Sequence, residues 1–351
     1  MNFEFSDLLE QKNTFVIAEA GSNWKKGTYN EDIKEAKMLI DVAFDANADA
    51  VKFQTFEAES LYAHDAGHSD YLQKSGITEN VNEMFEILSM PKKMIPELAK
   101  HCERKGILFM STPFSVKDAK QIDPFTKIYK IASYEINHVR LLEFIASTLK
   151  PVIISTGAST YEDIDFAFNI IKKYHNKIAI LQCTAKYPAP LETMNLSVIP
   201  NFRSKYNCPV GLSDHSTDPI ISPLTAIGFG ASIIEKHFTI NKNNFGPDHK
   251  FSLEPNELKL MIDHIKKADK TKGNRDKKII EEEKELKKFA TRSLQAIKNI
   301  EKGEILKEGE NFDVLRPGNQ KRGLDAKLLL DVNGKRSTQY VKEGEGIIDY
   351  E

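Results

Sequence analysis

Residues 209–237, PVGLSDHSTDPIISPLTAIGFGASIIEKH, contain two short apolar runs, and each run leads directly into polar side chains. The runs lie at 209–212 and 232–236 and are separated by a stretch long enough for a helix. Apolar runs of this kind are typical of parallel strands that helices cover on both faces. The segment therefore predicts a βαβ unit with the triplets SDH and EKH at the carboxyl ends of its strands.

The same pattern recurs along the chain and predicts a closed ring of strands. The eight runs lie at 15–20, 50–54, 107–111, 127–132, 151–155, 178–183, 209–212 and 232–236. Helical periodicity fills the intervals, for example at 31–44. Neither GxGxxG nor GxxxxGK[ST] follows any run, which argues against an open nucleotide-binding sheet. We predict an α/β fold with a (β/α)8 (TIM) barrel.

The C-terminal region differs from the barrel region in composition and in its sequence pattern. Residues 264–288 are rich in charge, and short β-like pieces with frequent glycine follow position 289. We predict a catalytic barrel at 1–280, a linker at 281–289 and a small β-rich domain at 290–351. A core of that size is marginal alone, so we expect it to pack on the barrel or on another subunit.

Composition narrows the class of partner. The chain has 351 residues, with 49 Lys and Arg against 51 Asp and Glu, giving a net charge of −2. This balance argues against a nucleic-acid surface and favours a small-molecule partner. The three cysteines are widely spaced, the first residues lack a basic region followed by a long apolar region, and no apolar run approaches about 20 residues. We expect a cytoplasmic protein without a membrane partner.

Polar side chains follow nearly every predicted strand, where barrel enzymes place their active sites. Lys52 and Lys130 end two strands, and buried lysines require a partner of opposite charge. Either they bind a phosphate or carboxylate together with the hydroxyls of Ser133, Ser155 and Ser213, or each pairs with a barrel glutamate. Both interpretations remain open at the level of sequence.

Two histidines end neighbouring strands and predict a metal site. His215 and His237 would bring two imidazoles to one point at the barrel mouth, which suits Mn²⁺, Zn²⁺ or Fe²⁺ acting as a Lewis acid. Asp248, in the GPDH loop, is placed to orient this site or to form a turn. Glu19, at the end of the first strand, is a candidate general acid or base, with a counter-ion to Lys52 as the alternative.

Distinctive motifs follow one another along the chain: IAEAGSN, VKFQTF, STPFS, YKIASYE, ISTGAS, CTAKYPAP, GLSDHS, IIEKHFT and GPDHKFSLEP. Their sequence and order resemble those of the sialic acid synthase family, including the legionaminic acid synthases. The tail, with ATRSLQAIKNIEKGE and LRPGN, resembles the antifreeze-like (SAF) domain that ends those enzymes. The resemblance implies a transferase that condenses phosphoenolpyruvate with an N-acylated mannosamine-type hexose, releasing phosphate by C–O cleavage and giving a nonulosonic acid.

The resemblance also implies roles for individual residues. Glu19, His215 and His237 would be catalytic, and the two histidines would hold Mn²⁺, with Mg²⁺ or Co²⁺ as alternatives. The phosphoenolpyruvate contacts would be Lys52, Thr112, Lys130, Ser133, Ser155 and Ser213. The sugar contacts would be Gln54, Thr184, Tyr187, Asp248 and Arg316. Arg316 would enter the barrel of a partner subunit, so a domain-swapped homodimer is implied.

Two positions depart from the family pattern and bear on the acceptor sugar. Trp24 stands where a histidine is usual, and Thr184 stands where asparagine is frequent, so a bulkier apolar wall and a shorter hydroxyl are expected. A 6-deoxy diacetamido hexose is therefore an alternative acceptor, and GPDH favours the sialic or legionaminic branch. A synthase for a phosphorylated aldose and a non-catalytic barrel that senses sugar or phosphate remain competing interpretations.

Overall fold

The computed structural model describes residues 4–10, 13–68, 80–274 and 276–351. The chain divides into two compact units, Met1–Gly273 and Asn274–Glu351. Within the described ranges, no helix has both the length and the apolar character needed to cross a bilayer.

The described part of the first unit contains a ring of eight parallel strands. They are β1 Phe15–Gly21, β2 Ala50–Thr55, β3 Leu108–Pro113, β4 Tyr129–Ile131, β5 Val152–Ser155, β6 Ile178–Cys183, β7 Val210–Asp214 and β8 Ile233–His237. The hydrogen-bonded order is β3-β2-β1-β8-β7-β6-β5-β4, and Cα atoms of the end strands β3 and β4 approach within 8 Å. The predicted (β/α)8 barrel is confirmed, and each predicted run coincides with a strand to within two residues.

Helix α1 Phe5–Glu10 precedes the first strand, and the other helices of this unit follow strands around the ring. They are α2 Tyr29–Asp45, α3 Ala58–Leu61, α4 Val81–Leu88, α5 Met94–Lys105, α6 Val116–Ile122, α7 Val139–Ser147, α8 Tyr161–Lys172, α9 Ile199–Tyr206, α10 Ile221–Gly228 and α11 Pro255–Thr271. Helix α2 confirms the helix predicted at 31–44. It begins two residues earlier because Thr28 and Glu31 form a reciprocal capping box with the first backbone N–H groups.

Alternation along the strands separates the interior of the barrel from its helix-covered face. Inward residues of the lower layer pack together and against Leu8 of α1, and they include Ile17, Ala50, Met110, Ile153 and Ile233. Two positions further along the same strands stand Glu19, Lys52, Thr112, Ser155 and Glu235. Because residues i and i+2 of a strand share a face, these polar side chains form the layer directly above the apolar one. The barrel thus has an apolar base and a polar floor beneath its mouth.

The second unit has its own small core. Strands β9 Ser293–Ala296 and β10 Phe312–Leu315 pair antiparallel, and helices α12 Lys284–Ala290 and α13 Leu329–Val332 belong to the same unit. Its buried apolar residues are Leu294, Ala296, Ile300, Leu306, Phe312, Val332, Val341 and Ile347. The β-rich C-terminal unit agrees with the predicted fold class. Its likeness to an antifreeze-like domain and the predicted domain boundaries stay predictions, and α12 occupies most of the predicted linker.

Candidate active site

A cavity of about 630 Å³ opens at the carboxyl ends of the barrel strands. Most of the predicted site residues line it: Glu19, Lys52, Gln54, Thr112, Lys130, Ser133, Ser155, Tyr187, Ser213, His215 and His237. They come from all eight strands or from the loops that directly follow them, because in a parallel barrel the strands end at one rim.

Alternation on β7 and β8 selects which side chains reach the cavity. Glu235 and His237 point inward, whereas Lys236 between them points to the other face of the sheet. There Lys236 Nζ donates to Asp214 Oδ2 at 2.7 Å, and both side chains are buried. Strand geometry therefore assigns Glu235 and His237 to the cavity, and Lys236 and Asp214 to the opposite face of the sheet.

Lys52 lies on the cavity floor and is 3% exposed. Its Nζ is 2.7 Å from Glu19 Oε2 and 3.6 Å from Glu235 Oε1, and it donates to Thr112 Oγ1 at 2.9 Å. Burial lowers the pKa of Lys52, but the two carboxylates outweigh burial and raise the pKa above its ordinary value. Lys52 is therefore a fixed positive charge.

Lys130 faces the same floor and is also 3% exposed. Its Nζ donates to Ser155 Oγ at 2.6 Å and lies 3.7 Å from Glu235 Oε1. Burial lowers the pKa of Lys130, and the Glu235 carboxylate only partly opposes this shift. The structure thus pairs both lysines with barrel glutamates, which was the alternative to an anion; their role in binding phosphoenolpyruvate stays a prediction.

Glu235 is a charged residue of the cavity floor that the sequence analysis did not single out. Its Oε1 contacts both lysines and accepts a hydrogen bond from Ser213 Oγ at 3.2 Å. Burial favours the neutral carboxyl, but Lys130 and Lys52 outweigh it and hold the pKa of Glu235 below its ordinary value. Its position two residues before His237 on a strand was the signal that could have identified it.

Glu19 is almost fully buried beside Lys52. Burial raises its pKa to about 7, although Lys52 opposes the shift. Gln54 Nε2 donates to Glu19 Oε1 at 3.2 Å, which orients the carboxyl. A carboxyl with a pKa near neutrality can both donate and accept a proton, which suits a general acid or base.

The two predicted metal ligands meet at the rim of the cavity. The ring centroids of His215 and His237 are 5.5 Å apart. His215 Nδ1 contacts the carbonyl oxygen of Thr184 at 2.9 Å, so Nε2 is the nitrogen left for a ligand. Burial lowers the pKa of His237 well below its ordinary value, and its buried Nδ1 has no hydrogen-bond partner among the described residues.

The two imidazoles supply part of the ligand set that a catalytic divalent ion requires. Across the residues that the structure describes, no group of three or more His, Cys, Asp or Glu side chains is arranged to hold a metal ion. Two neutral imidazole ligands would leave the other positions of an ion to water and to a substrate oxygen, as open catalytic sites require. The orphaned Nδ1 of His237 is the observation that supports this fit.

The predicted sugar contacts separate into different environments. Tyr187 stacks on His215 with ring centroids 4.3 Å apart, and Asp248 Oδ2 lies 3.7 Å from His237 Nδ1. Burial raises the pKa of Asp248 to about 6. Its loop is held by Asn23, whose Nδ2 donates to the hydroxyl of Ser252 at 3.1 Å and to the carbonyl of Phe238 at 2.8 Å. Tyr187 and Asp248 thus flank the histidine pair.

Three other predicted contributors do not line the cavity. The Thr184 hydroxyl donates to the carbonyl of Thr193 at 2.9 Å, so only the Thr184 backbone serves the site, through His215. Trp24 is 1% exposed and packs in the core between strands and helices, so the expectation of a bulky cavity wall there was wrong. Arg316 follows β10 in the second unit, where it is exposed, and its role stays a prediction.

The loops after β2, β3 and β4 add cavity residues that the sequence analysis did not assign to the site. Glu135, in a short 3₁₀ helix, lines the cavity, and burial raises its pKa to about 7. Tyr62, Phe85, Phe114 and Tyr134 also line the cavity. Their positions depend on long-range packing of loops, which carries no periodic signal in the sequence.

Comparison with known families decides the identity of this barrel. The sequence model described as the NeuB family matches residues 39–277. The chain belongs to the NeuB family. The N,N'-diacetyllegionaminic acid synthase of Campylobacter jejuni is 38% identical over 95% of this chain and 98% of its own length. The pseudaminic acid synthase of the same organism is 35% identical over 96% of both chains.

A solved structure supports the same relationship. The spore coat polysaccharide biosynthesis protein SpsE of Bacillus subtilis is 37% identical, with a TM-score of 0.63, over 96% of this chain and 94% of that protein. The predicted membership of the sialic acid synthase family is confirmed. This NeuB-family chain is a synthase that forms a carbon–carbon bond, as the predicted transferase class stated.

Proposed function

We propose that this enzyme condenses phosphoenolpyruvate with an N-acylated mannosamine-type hexose to give a nonulosonic acid and phosphate. The observation that carries the proposal is the arrangement of one cavity: two buried lysines with hydroxyl donors on the floor, and two imidazoles at the rim. Cationic and hydroxyl donors recognise the enol phosphate, and the relatives named above act as nonulosonic acid synthases.

The reaction requires one new carbon–carbon bond and one broken carbon–oxygen bond. Carbon three of the enol phosphate attacks the aldehyde carbon of the open-chain sugar, whose oxygen gains a proton. Water then adds to carbon two, and the tetrahedral intermediate expels phosphate with the bridging oxygen. Lys52 and Lys130 would hold the phosphate and carboxylate, and Glu19 would stabilise the cationic carbon and accept the proton from water.

A divalent ion is expected in this site, with Mn²⁺ favoured and Mg²⁺ or Co²⁺ as alternatives. His215 and His237 would hold it, and when bound it would supply Lewis-acid polarisation of the aldehyde oxygen. Tyr187, Asp248 and Gln54 would orient the sugar. Arg316 would contact the acyl group from a partner subunit of a domain-swapped homodimer.

The competing synthase for a phosphorylated aldose needs a second anion site. Among the described residues that line the cavity, Lys52 and Lys130 are the only Lys or Arg side chains, and one enol phosphate engages both. An unphosphorylated acceptor therefore fits this barrel better. A merely sensing barrel would need no carboxyl with a pKa near 7 beside the floor lysines.

Phosphoenolpyruvate labelled with ¹⁸O in the bridging position tests the proposal. We expect phosphate release only when an N-acylated amino hexose and a divalent metal are both present, with the label in the phosphate, because C2–O cleavage carries that oxygen away. His215→Ala should abolish the metal requirement together with most of the rate. Label retained in the keto acid, or release without acceptor, would contradict the proposal.

A further inference from the structure

A buried ion pair joins β7 to β8 on the face of the sheet that points away from the cavity. Asp214 and Lys236 occupy paired positions of the two strands, and both side chains are almost completely buried. Neither is among the described residues that line the cavity. Each directly precedes one of the two histidines, since His215 follows Asp214 and His237 follows Lys236. The pair therefore lies one residue before the predicted metal ligand on each strand.

The Lys236 ammonium also holds the loop that follows β7. Its Nζ lies 2.7 Å from Asp214 Oδ2, 3.1 Å from Ser216 Oγ and 3.2 Å from the carbonyl oxygen of Asp218. It donates to the carbonyl oxygen of Ser216 as well, and the backbone N–H of Ser216 donates to Asp214 Oδ1 at 2.8 Å. Because an ammonium group has three donors and no acceptor, it satisfies converging oxygen atoms that an apolar side chain would leave unpaired. The chain directly after His215 is thus fastened to β8.

The two histidines differ in how their backbone is held. His237 is the last residue of β8, and its carbonyl oxygen accepts a hydrogen bond from the backbone N–H of Leu253 at 2.9 Å. His215 lies just beyond the end of β7, and its carbonyl oxygen accepts from the backbone N–H of Ala189, which itself belongs to a loop. Loss of the Lys236 ammonium would therefore release the chain at His215 more than the chain at His237.

The separation of the two imidazoles decides whether one ion can bind both. Their ring centroids are 5.5 Å apart, and metal–ligand distances in proteins vary by only about 0.2 Å around their usual values. A larger displacement of His215 would therefore weaken the binding of an ion that both rings share. The floor lysines would keep their places, because Lys52 belongs to β2 and Lys130 to β4.

We propose that Lys236 and Asp214 are positioning residues for the divalent ion, because their ion pair fixes His215 relative to His237. The inference rests on the proposed function and adds to it two residues that touch neither the substrates nor the ion. Groups that orient metal ligands from behind commonly change metal affinity by about 10- to 100-fold. Binding of the ion thus depends on a charge pair on the far face of the sheet, whereas binding of phosphoenolpyruvate does not.

Calorimetric titration of Mn²⁺ into the metal-free protein tests the inference without relying on catalysis. The variants are Lys236→Met, and Lys236→Met combined with Asp214→Asn, which leaves no buried charge unpaired. We expect the Kd for Mn²⁺ to rise by about tenfold or more in both, while the Kd for phosphoenolpyruvate, measured without metal, stays close to that of the wild type. The double variant should recover part of the Tm that the single variant loses, but not its affinity for Mn²⁺, which separates positioning from stability.

The matched control is Asp269→Asn, which breaks another largely buried ion pair, that with Lys272. Its Kd for Mn²⁺ should equal that of the wild type. An unchanged Kd for Mn²⁺ in the double variant, or equal losses of Mn²⁺ and phosphoenolpyruvate binding there, would overturn the inference and leave the proposed synthase in place. If the wild type and His215→Ala instead bind Mn²⁺ equally well, the histidines do not hold the ion, which would overturn the metal part of the proposed function and the inference with it.

Discussion

Replacing Glu235 by Gln tests whether one buried carboxylate balances the two floor lysines. Its Oε1 lies 3.6 Å from Lys52 Nζ and 3.7 Å from Lys130 Nζ. At an effective dielectric constant of about 20, each contact represents roughly 4 to 5 kcal/mol of attraction, most of which desolvation offsets. Lys52 keeps Glu19, whereas Lys130 keeps no other carboxylate partner within 4 Å among the described residues.

Removing one member of a buried ion pair destabilises a protein by about 3 to 5 kcal/mol. For a unit of this size we expect Glu235→Gln to lower the Tm by roughly 6 to 15 °C. Phosphoenolpyruvate supplies negative charge to the same lysines, so saturating ligand should raise the Tm of the variant more than that of the wild type. Thermal unfolding with and without phosphoenolpyruvate measures both effects.

Asp269→Asn is the matched control for Glu235→Gln. The Asp269 side chain is 8% exposed, pairs with Lys272 at 2.6 Å and accepts hydrogen bonds from Thr14, which precedes β1 at the end of the barrel opposite the mouth. Its loss should lower the Tm without changing the response to phosphoenolpyruvate. A Glu235→Gln enzyme with wild-type stability and a wild-type response to phosphoenolpyruvate would refute the charge-balance reasoning.

Three further predictions concern single residues. Lys130→Ala should raise the Kd for phosphoenolpyruvate by about tenfold or more in calorimetry and leave the acceptor KM nearly unchanged; equal losses would contradict the phosphate role. Burial raises the pKa of Glu19 to about 7 from 4.5, so the folded state binds the extra proton and its stability falls as pH rises through that window. Between these pH values the Tm of the wild type should therefore fall relative to that of Glu19→Gln as the pH rises, and parallel Tm curves would argue against burial as the cause. Arg316→Ala should raise the acceptor KM. Mixing this variant with a His215→Ala subunit should restore activity, because a mixed dimer would contain one complete site. Failure of the mixture to regain activity, when the subunits exchange freely, would contradict the proposal that Arg316 enters the partner's barrel.

The barrel was predictable because its information is local and repeated. Each strand is a short apolar run, and each strand end carries polar groups, so strand positions and the shared rim follow from period and order alone. The same rule placed Lys52, Lys130 and His237 in one cavity before any contact was known. Glu235 obeys the rule as well, because it lies two residues before His237 on the same strand and therefore points to the same face. The alternation of strand side chains could have identified it from the sequence.

Loop side chains were not predictable in this way. Trp24 and Thr184 stand beside site motifs in the sequence, yet Trp24 packs into the core and the Thr184 hydroxyl bonds to the carbonyl of Thr193. The aromatic residues that line the cavity, Tyr62, Phe85, Phe114 and Tyr134, likewise come from three different loops. Their orientation depends on partners far along the chain, which no local pattern encodes.

The amino-acid sequence by itself determined the barrel, the family and the set of strand-end groups, because strand alternation and short motifs are local properties. Only the tertiary structure decided that both floor lysines share Glu235 and that aromatic rings from three loops line the same cavity as the histidines. Those relations join residues separated by tens to hundreds of positions, and they arise only when the ring of strands brings distant segments within a few ångströms.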